Sequence, residues 1–255
     1  MPDDEDAYGR VTARYYDEAY ARLRDASGDT DFYLGLARES GGPVLELGCG
    51  TGRTLLPIAR AGISCTGLDR SAHMLAALRA KAPPANLRLV QASIRSFDLG
   101  SARFALVTAP FRVFQHLATL QDQLACLATV RRHLAPGGTF AFDCFRPRLS
   151  RLAALVEPEA EDARWPEGND EIVRSASVTR SHATQTMEVT LHYDRLRSGE
   201  HVARETTRFA MRYFFRYELE HLLQRAGFTR LRLFGDFAGA EFGEESPEMV
   251  WLARC

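Results

Sequence analysis

The residues best suited to chemistry fall in one short run, Glu46-Leu47-Gly48-Cys49-Gly50-Thr51-Gly52-Arg53. Gly48 and Gly50 let the backbone turn tightly and approach a ligand with no Cβ between them. A helix beginning just after the run would present backbone N–H groups that have no partner within the helix. A dinucleotide fingerprint needs its third glycine where this chain has Arg53, which argues against a hydride-transferring dehydrogenase. The lysine of a phosphate-binding P-loop is missing as well. A carboxylate placed before the glycines suits a ligand with an amino group, and Glu46 is that carboxylate. Asp69 closes the next apolar run, where its two oxygens can accept from both hydroxyls of a ribose. The competing role for Asp69 is a helix N-cap or an exposed loop acid.

A second group follows a later apolar strand: Ala109-Pro110-Phe111-Arg112-Val113-Phe114-Gln115-His116-Leu117. Ligands of open α/β sheets bind at the carboxyl ends of the strands. Phe111, Arg112, Phe114 and His116 are therefore candidates to touch a substrate. His116 is the candidate general base, because imidazole titrates near neutral pH; a capping or packing histidine stands level with that role. Tyr15, Tyr16 and Asp17, with Tyr33 downstream, are candidates for a lid, against the plainer role of core or surface aromatics. Arg212 and Arg216 are candidates to meet a substrate carboxylate. The five cysteines are scattered with no C-x-x-C pair, so neither a metal site nor a disulfide framework is expected.

These residues need elements to hold them. Val44–Leu47, 63–68, 87–90, 104–109 and 139–144 read as short buried strands. Helical patterns at 53–61, 71–81 and 121–134 separate them, with Ser71 as an N-cap. Alternation at this spacing predicts a parallel sheet covered on both faces. Residues 8–39 read as one or two helices, broken near Ser27-Gly28-Asp29.

After residue 145 the pattern changes. Seven acids against one arginine (Arg164) in 157–171 read as a mobile, solvated loop. Strand-like alternation follows at Met187, Val189, Leu191 and Tyr193, then a hairpin turn at Ser198-Gly199, then more alternation to Tyr213. From Ile172 to Arg232 there are eleven arginines and six acids, which on alternating strands reads as a solvated sheet face rather than a polyanion site. A helix around 219–226 stops at Gly227, and 228–234 and 249–253 form the last strands.

The expected architecture is thus α/β, a Rossmann-like, doubly wound, mostly parallel sheet with an antiparallel β insertion and an N-terminal helical cap. One domain divides into the cap at 1–42, a ligand-binding core at 43–145, the insertion at 146–215 and a C-terminal helix with strands at 216–255. A net charge of −1 gives no general attraction to a polyanion, so nucleic acid is not the expected partner. No apolar run approaches the length of a membrane span, the N-terminus is acidic, and a reducing cytoplasm suits the cysteine usage.

The runs V-L-E-L-G-C-G-T-G-R, G-L-D-R-S-A-H-M-L and L-A-P-G-G-T-F-A-F-D resemble class I S-adenosylmethionine-dependent methyltransferases over residues 40–145. The resemblance implies S-adenosyl-L-methionine as cofactor, with Glu46, Gly48, Gly50 and Gly52 in the first motif and Asp69 on the ribose. Arg70 and Met74 match positions flanking the adenosine. An aspartate often follows the third strand in this family; here Ser93 stands in its place, between Ala92 and an Ile94 that would pack on the base. Tyr16, Tyr33, Cys49, Arg53 and Pro110 complete the implied cofactor set, and Tyr16 joins His116 as a catalytic candidate. The overall layout is similar to that of deoxyamino-sugar N,N-dimethyltransferases: an N-terminal Tyr-Asp, a His-Leu after the fourth strand, and an antiparallel insertion. The implied reaction is methyl transfer to a small-molecule acceptor at nitrogen. O-methylation, an RNA or protein acceptor, and a non-catalytic ligand-binding role remain alternatives. The Asp/Asn-Pro-Pro-Tyr motif of base-amino methylation is missing, which argues against a DNA adenine methyltransferase. The insertion is the expected surface for a homodimer, and with the N-terminal helices it is expected to cover the acceptor pocket.

Overall fold

A computed structural model describes residues 2–23 and 26–255, with side chains described for 9–23 and 28–255. In chain order the elements are α1 (Pro2–Leu23), α2 (Ala26–Ser40), β1 (Val44–Leu47), α3 (Leu55–Arg60), β2 (Cys65–Asp69), α4 (Ala72–Ala80), β3 (Leu87–Gln91) and β4 (Phe104–Ala109). A 3-10 turn at Val113–His116 leads to α5 (Leu120–His133), β5 (Leu134–Phe145) and α6 (Leu149–Leu152). Then come β6 (Val156–Glu167), β7 (Asp170–Ser181), β8 (Thr186–Arg197), β9 (Glu200–Arg212), α7 (Arg216–Arg225), β10 (Arg230–Phe234) and β11 (Glu248–Arg254). The chain forms two compact units, one of residues 27–147 and 213–255, the other of 1–26 and 148–212.

The first unit is a seven-stranded sheet in the order β10-β11-β5-β4-β1-β2-β3. β1 pairs in parallel with both β2 and β4, so the strand order reverses direction at β1 and β4. That is the switch point where open sheets leave a crevice. Successive residues of each strand feed opposite faces. Leu45, Val107, Phe140 and Phe142 join α5 and α7 in one core, while Val44, Leu106 and Ala141 join α2, α3 and α4 in another. The expected doubly wound sheet is what these two cores describe. Only β11 runs antiparallel, against both β5 and β10.

The helix ends follow local chemistry. Ser71 caps α4 by accepting from the Met74 N–H at 3.2 Å, and Thr119 caps α5 through the Asp122 N–H at 3.1 Å. The break expected at Ser27-Gly28-Asp29 is instead helical, since α2 already begins at Ala26. Asp29, itself buried, is held there by an arginine described below.

The second unit is a four-stranded antiparallel sheet, β6-β7-β8-β9, with α1 on one face. Val11, Tyr15 and Ala19 of α1 meet Trp165, Ile172, Leu191 and Tyr193. Ser198 and Gly199 turn with φ of 51° and 84°, the two-residue hairpin expected between β8 and β9. One expectation fails here. The acid-rich stretch 157–171 is no loop: it is β6 and the start of β7. Its acids meet arginines across the sheet: Glu157 pairs with Arg180, Glu159 with Arg204, Asp162 with Arg174, Glu167 with Arg195, and Asp170 with Arg195 and Arg197. The acid stretch and the arginine excess are two halves of one pattern, legible only once the strands are aligned.

Candidate active site

The glycine run forms the link between β1 and α3. Gly48, Gly50 and Gly52 have φ of 62°, 51° and 85°, where a side chain is strained. Two of them are also tight. A Cβ on Gly48 would sit 2.8 Å from the Val113 side chain, and one on Gly52 would sit 2.3 Å from Leu78 Cδ1. Gly50 differs: a Cβ there would meet nothing within 4 Å, so its backbone faces open space. The turn is closed by Cys49 N–H donating to Leu68 O and Gly52 N–H donating to Cys49 O. Cys49 itself is buried.

Asp69 ends β2 and ties two parts of the site together. Its Oδ2 accepts from the Gly50 N–H at 2.9 Å, and its Oδ1 from the Ser71 N–H at 2.8 Å. A carboxylate has about four acceptor positions, so each oxygen keeps one for a ligand hydroxyl. Burial raises the Asp69 pKa, and the backbone N–H groups oppose that rise. Glu46 is 2% exposed, and its Oε2 has no hydrogen-bond partner among the described residues. Burial pushes its carboxyl up to about 8, against the pull of the Arg53 guanidinium. A buried carboxyl with an idle oxygen is a site for a cationic donor. These features fit S-adenosylmethionine, whose amino acid end carries an ammonium and whose ribose carries two hydroxyls.

The remaining cofactor-side candidates are placed as follows. Met74 is buried on α4, and Arg70 is exposed. Ala92, Ser93 and Ile94 are half-buried beyond β3, with Ala92 N–H donating to Asp69 O. The Ser93 hydroxyl accepts from the Arg95 N–H at 3.2 Å, which fixes its orientation. Arg53 grips Asp29 with two hydrogen bonds of 2.8 Å, and its guanidinium lies 4.6 Å from the centre of the Phe111 ring. Sequence reasoning missed Asp29, which is 1% exposed and lies inside a helix that carried no sign of a buried acid.

Pro110, a cofactor-side candidate, is buried; of the acceptor-side candidates, Phe111 and Arg112 are half-buried, both with left-handed φ of 60° and 65°. Two bulky residues in that region cost about 1–3 kcal/mol each and need the surroundings to hold them. Asp143, fully buried on β5, does so: Oδ1 accepts from the Phe111 N–H at 2.7 Å and Oδ2 from the Arg112 N–H at 3.0 Å. Tyr33 on α2 also donates to Asp143 Oδ1, at 2.7 Å. Tyr33 is fully buried, and burial beside that carboxylate raises its pKa well above the usual value, so it stays a donor. Arg112 reaches Glu248 at 2.7 Å and lies over Phe145. Phe114 packs in the core against Phe142 and Phe214 with no exposed surface. Gln115, also buried, accepts from the Phe145 N–H. His116 is half-buried at the end of the 3-10 turn. The structure thus gathers Tyr33, the glycine turn, Asp69 and residues 110–116 into the seven-stranded unit. Asp143 and Glu248, unremarked in the sequence, belong to that group; an acid ending the apolar run Thr139–Phe142 was the available signal.

Tyr16 and Arg212 belong to the other unit. The Tyr16 ring packs tilted against Tyr20 along α1, centroids 4.5 Å apart, and Arg212 at the end of β9 donates to Gln185 Oε1 at 3.1 Å. No group of metal-binding side chains occurs among the described residues, and no helix there is long and apolar enough to cross a membrane.

Residues 44–138 match a family model described as a methyltransferase domain. The CcbJ methyltransferase from Streptomyces caelestis is 29% identical in sequence, with a TM-score of 0.81 over 99% of each chain. A cypemycin N-terminal methyltransferase from a Streptomyces species is 28% identical over 67% of this chain and 68% of its own length. A dTDP-3-amino-3,6-dideoxy-alpha-D-glucopyranose N,N-dimethyltransferase from Streptomyces fradiae is 37% identical over 37% of this chain and 36% of its own.

Proposed function

We propose that the chain is a class I S-adenosylmethionine-dependent methyltransferase that methylates an amino nitrogen of a small-molecule acceptor. What supports nitrogen is that similar proteins are named for it, one acting at a peptide N-terminus and one at an amino sugar. The cofactor supplies a methyl group on a sulfonium, which transfers in line to a nucleophile. The protein's task is therefore alignment, exclusion of water and removal of a proton.

In this reading Glu46 receives the ligand ammonium and Asp69 the ribose hydroxyls. Met74 and Ile94 flank the adenine. The acceptor amine lies against Phe111. His116 takes the proton that the amine must lose as the new N–C bond forms and the carbon–sulfonium bond breaks. The reading extends to a homodimer formed through the insertion, supported by β6 and β9 being the edge strands of its sheet. It also extends to a reducing cytoplasm, supported by five unpaired cysteines, four of them buried.

The test is a panel of amino sugars, free-amine peptides and their hydroxyl counterparts, read as methyl incorporation. Turnover confined to amines bears the proposal out; turnover confined to hydroxyl compounds overturns it. His116→Ala should lower turnover of the best amine on the order of 100-fold, with S-adenosylhomocysteine affinity unchanged. A variant that keeps the wild-type rate at pH 6 and pH 8 removes His116 from proton transfer.

A further inference from the structure

We infer that Asp143 is the positioning residue of the acceptor loop: its carboxylate imposes the left-handed bend at Phe111 and Arg112 that turns the chain after β4 back toward the glycine turn. The assignment of 110–116 as the acceptor side rests on the function proposed above; the bend and its holder do not. Without a bend the chain would continue outward from β4. With it, the Phe111 ring comes to rest on Arg53, 4.6 Å from its guanidinium carbon, at the entrance to α3. The loop that carries His116 is thereby fastened to the glycine turn that follows Glu46.

The chemistry of the clamp explains why an acid stands there. The two adjacent N–H groups point to one side because both residues are left-handed, and the carboxylate meets each with a separate oxygen. Tyr33 adds a third donor and ties the same carboxylate to α2. Asparagine at 143 would keep one acceptor oxygen and turn a second donor against a backbone N–H. Nothing else in Asp143's position suggests a direct catalytic role, since it is fully buried on β5. It acts through the loop.

The experiment uses the full chain saturated with S-adenosylhomocysteine, comparing wild type with Asp143→Asn and Tyr33→Phe. Amide exchange across 110–117 should rise on the order of 10-fold or more in Asp143→Asn and less in Tyr33→Phe. In Asp143→Asn the S-adenosylhomocysteine Kd should move less than about 3-fold, while kcat/KM for the best panel amine falls on the order of 30-fold. Arg112→Gly sharpens the test, because glycine takes positive φ without strain. In that background the further loss from Asp143→Asn should shrink to less than about 3-fold. An equal loss in both backgrounds, or exchange across 110–117 unchanged, overturns the inference. So does an Asp143→Asn protein in which melting temperature, S-adenosylhomocysteine affinity and turnover fall together, because that marks a core acid and no more. If the panel yields no active amine, the exchange and affinity readings still decide the clamp, and only the acceptor reading fails.

Discussion

In the seven-stranded unit three acids are buried, Asp29, Glu46 and Asp143, each no more than 2% exposed. In the four-stranded unit many acids meet arginines in the open, as where Arg164 holds Glu161 and Glu171 with every side chain at least 44% exposed. The two regions teach different things about charge. A buried carboxylate must have its partners or shift its pKa, so each one constrains its surroundings. An exposed pair gains little, because water and salt compete with it. The first arrangement builds a site. The second makes a sheet whose strands align acid against arginine.

The largest expected effect tests the buried side. Arg53→Met leaves Asp29 buried at 1% exposure without its two guanidinium bonds. The loss should be about 3–5 kcal/mol in urea unfolding, the range for breaking one half of a buried pair. Asp29→Asn in the same chain should restore part of it. A loss below about 1 kcal/mol would place this pair with the exposed ones and break the comparison.

Glu46 sharpens the same side through pH. Its carboxyl stands at about 8 in the folded chain against 4.5 for the ordinary group. The folded state therefore holds a proton that the unfolded state has released between those values. Stability from Glu46 is complete below about pH 4.5 and is lost as pH rises through 8. The unfolding free energy should fall by up to about 1.4 kcal/mol per pH unit across that window. Glu46→Gln should be flat there. Saturating S-adenosylhomocysteine should reduce the slope in wild type, because a bound ammonium favours the charged carboxylate.

Asp69 lies between the extremes, half-buried and already holding two backbone N–H groups. Asp69→Ala should weaken S-adenosylhomocysteine binding by about 1–3 kcal/mol in calorimetry, since ribose hydroxyls and two N–H groups lose their acceptor. Unchanged affinity would remove Asp69 from the ligand and leave it as a strut of the turn.

The same contrast decides what the sequence discloses. The strands β1 and β4 lie where their apolar runs put them, because strands buried on both faces are nearly all apolar. Glu46 and Asp69 are legible because the glycines beside them mark the turn. Asp143 and Asp29 are not, because their partners lie far along the chain: Phe111 for one, Arg53 for the other. β6 is illegible for a related reason. Seven acids in 157–171 look like solvated chain until Arg180, Arg195 and Arg204 are brought beside them by strand pairing. Charge complementarity between strands carries no local periodicity to read.

The smallest expected effect tests the open side. Glu18 and Arg22 lie one turn apart on α1, 2.7 Å between charged atoms, with side chains 61% and 39% exposed. Arg22 also donates to the Glu18 carbonyl at 2.7 Å and lies 5.8 Å from the centre of the Trp165 ring. Removing the carboxylate therefore leaves the guanidinium hydrated and still placed. Glu18→Gln should cost about 0.3–0.5 kcal/mol in urea unfolding at low ionic strength. In 1 M sodium chloride the difference should vanish, since the screening length is then about 3 Å. A salt-independent loss above about 1 kcal/mol would show that α1 depends on this pair as the glycine turn depends on Asp29, and the contrast between the two units would not hold.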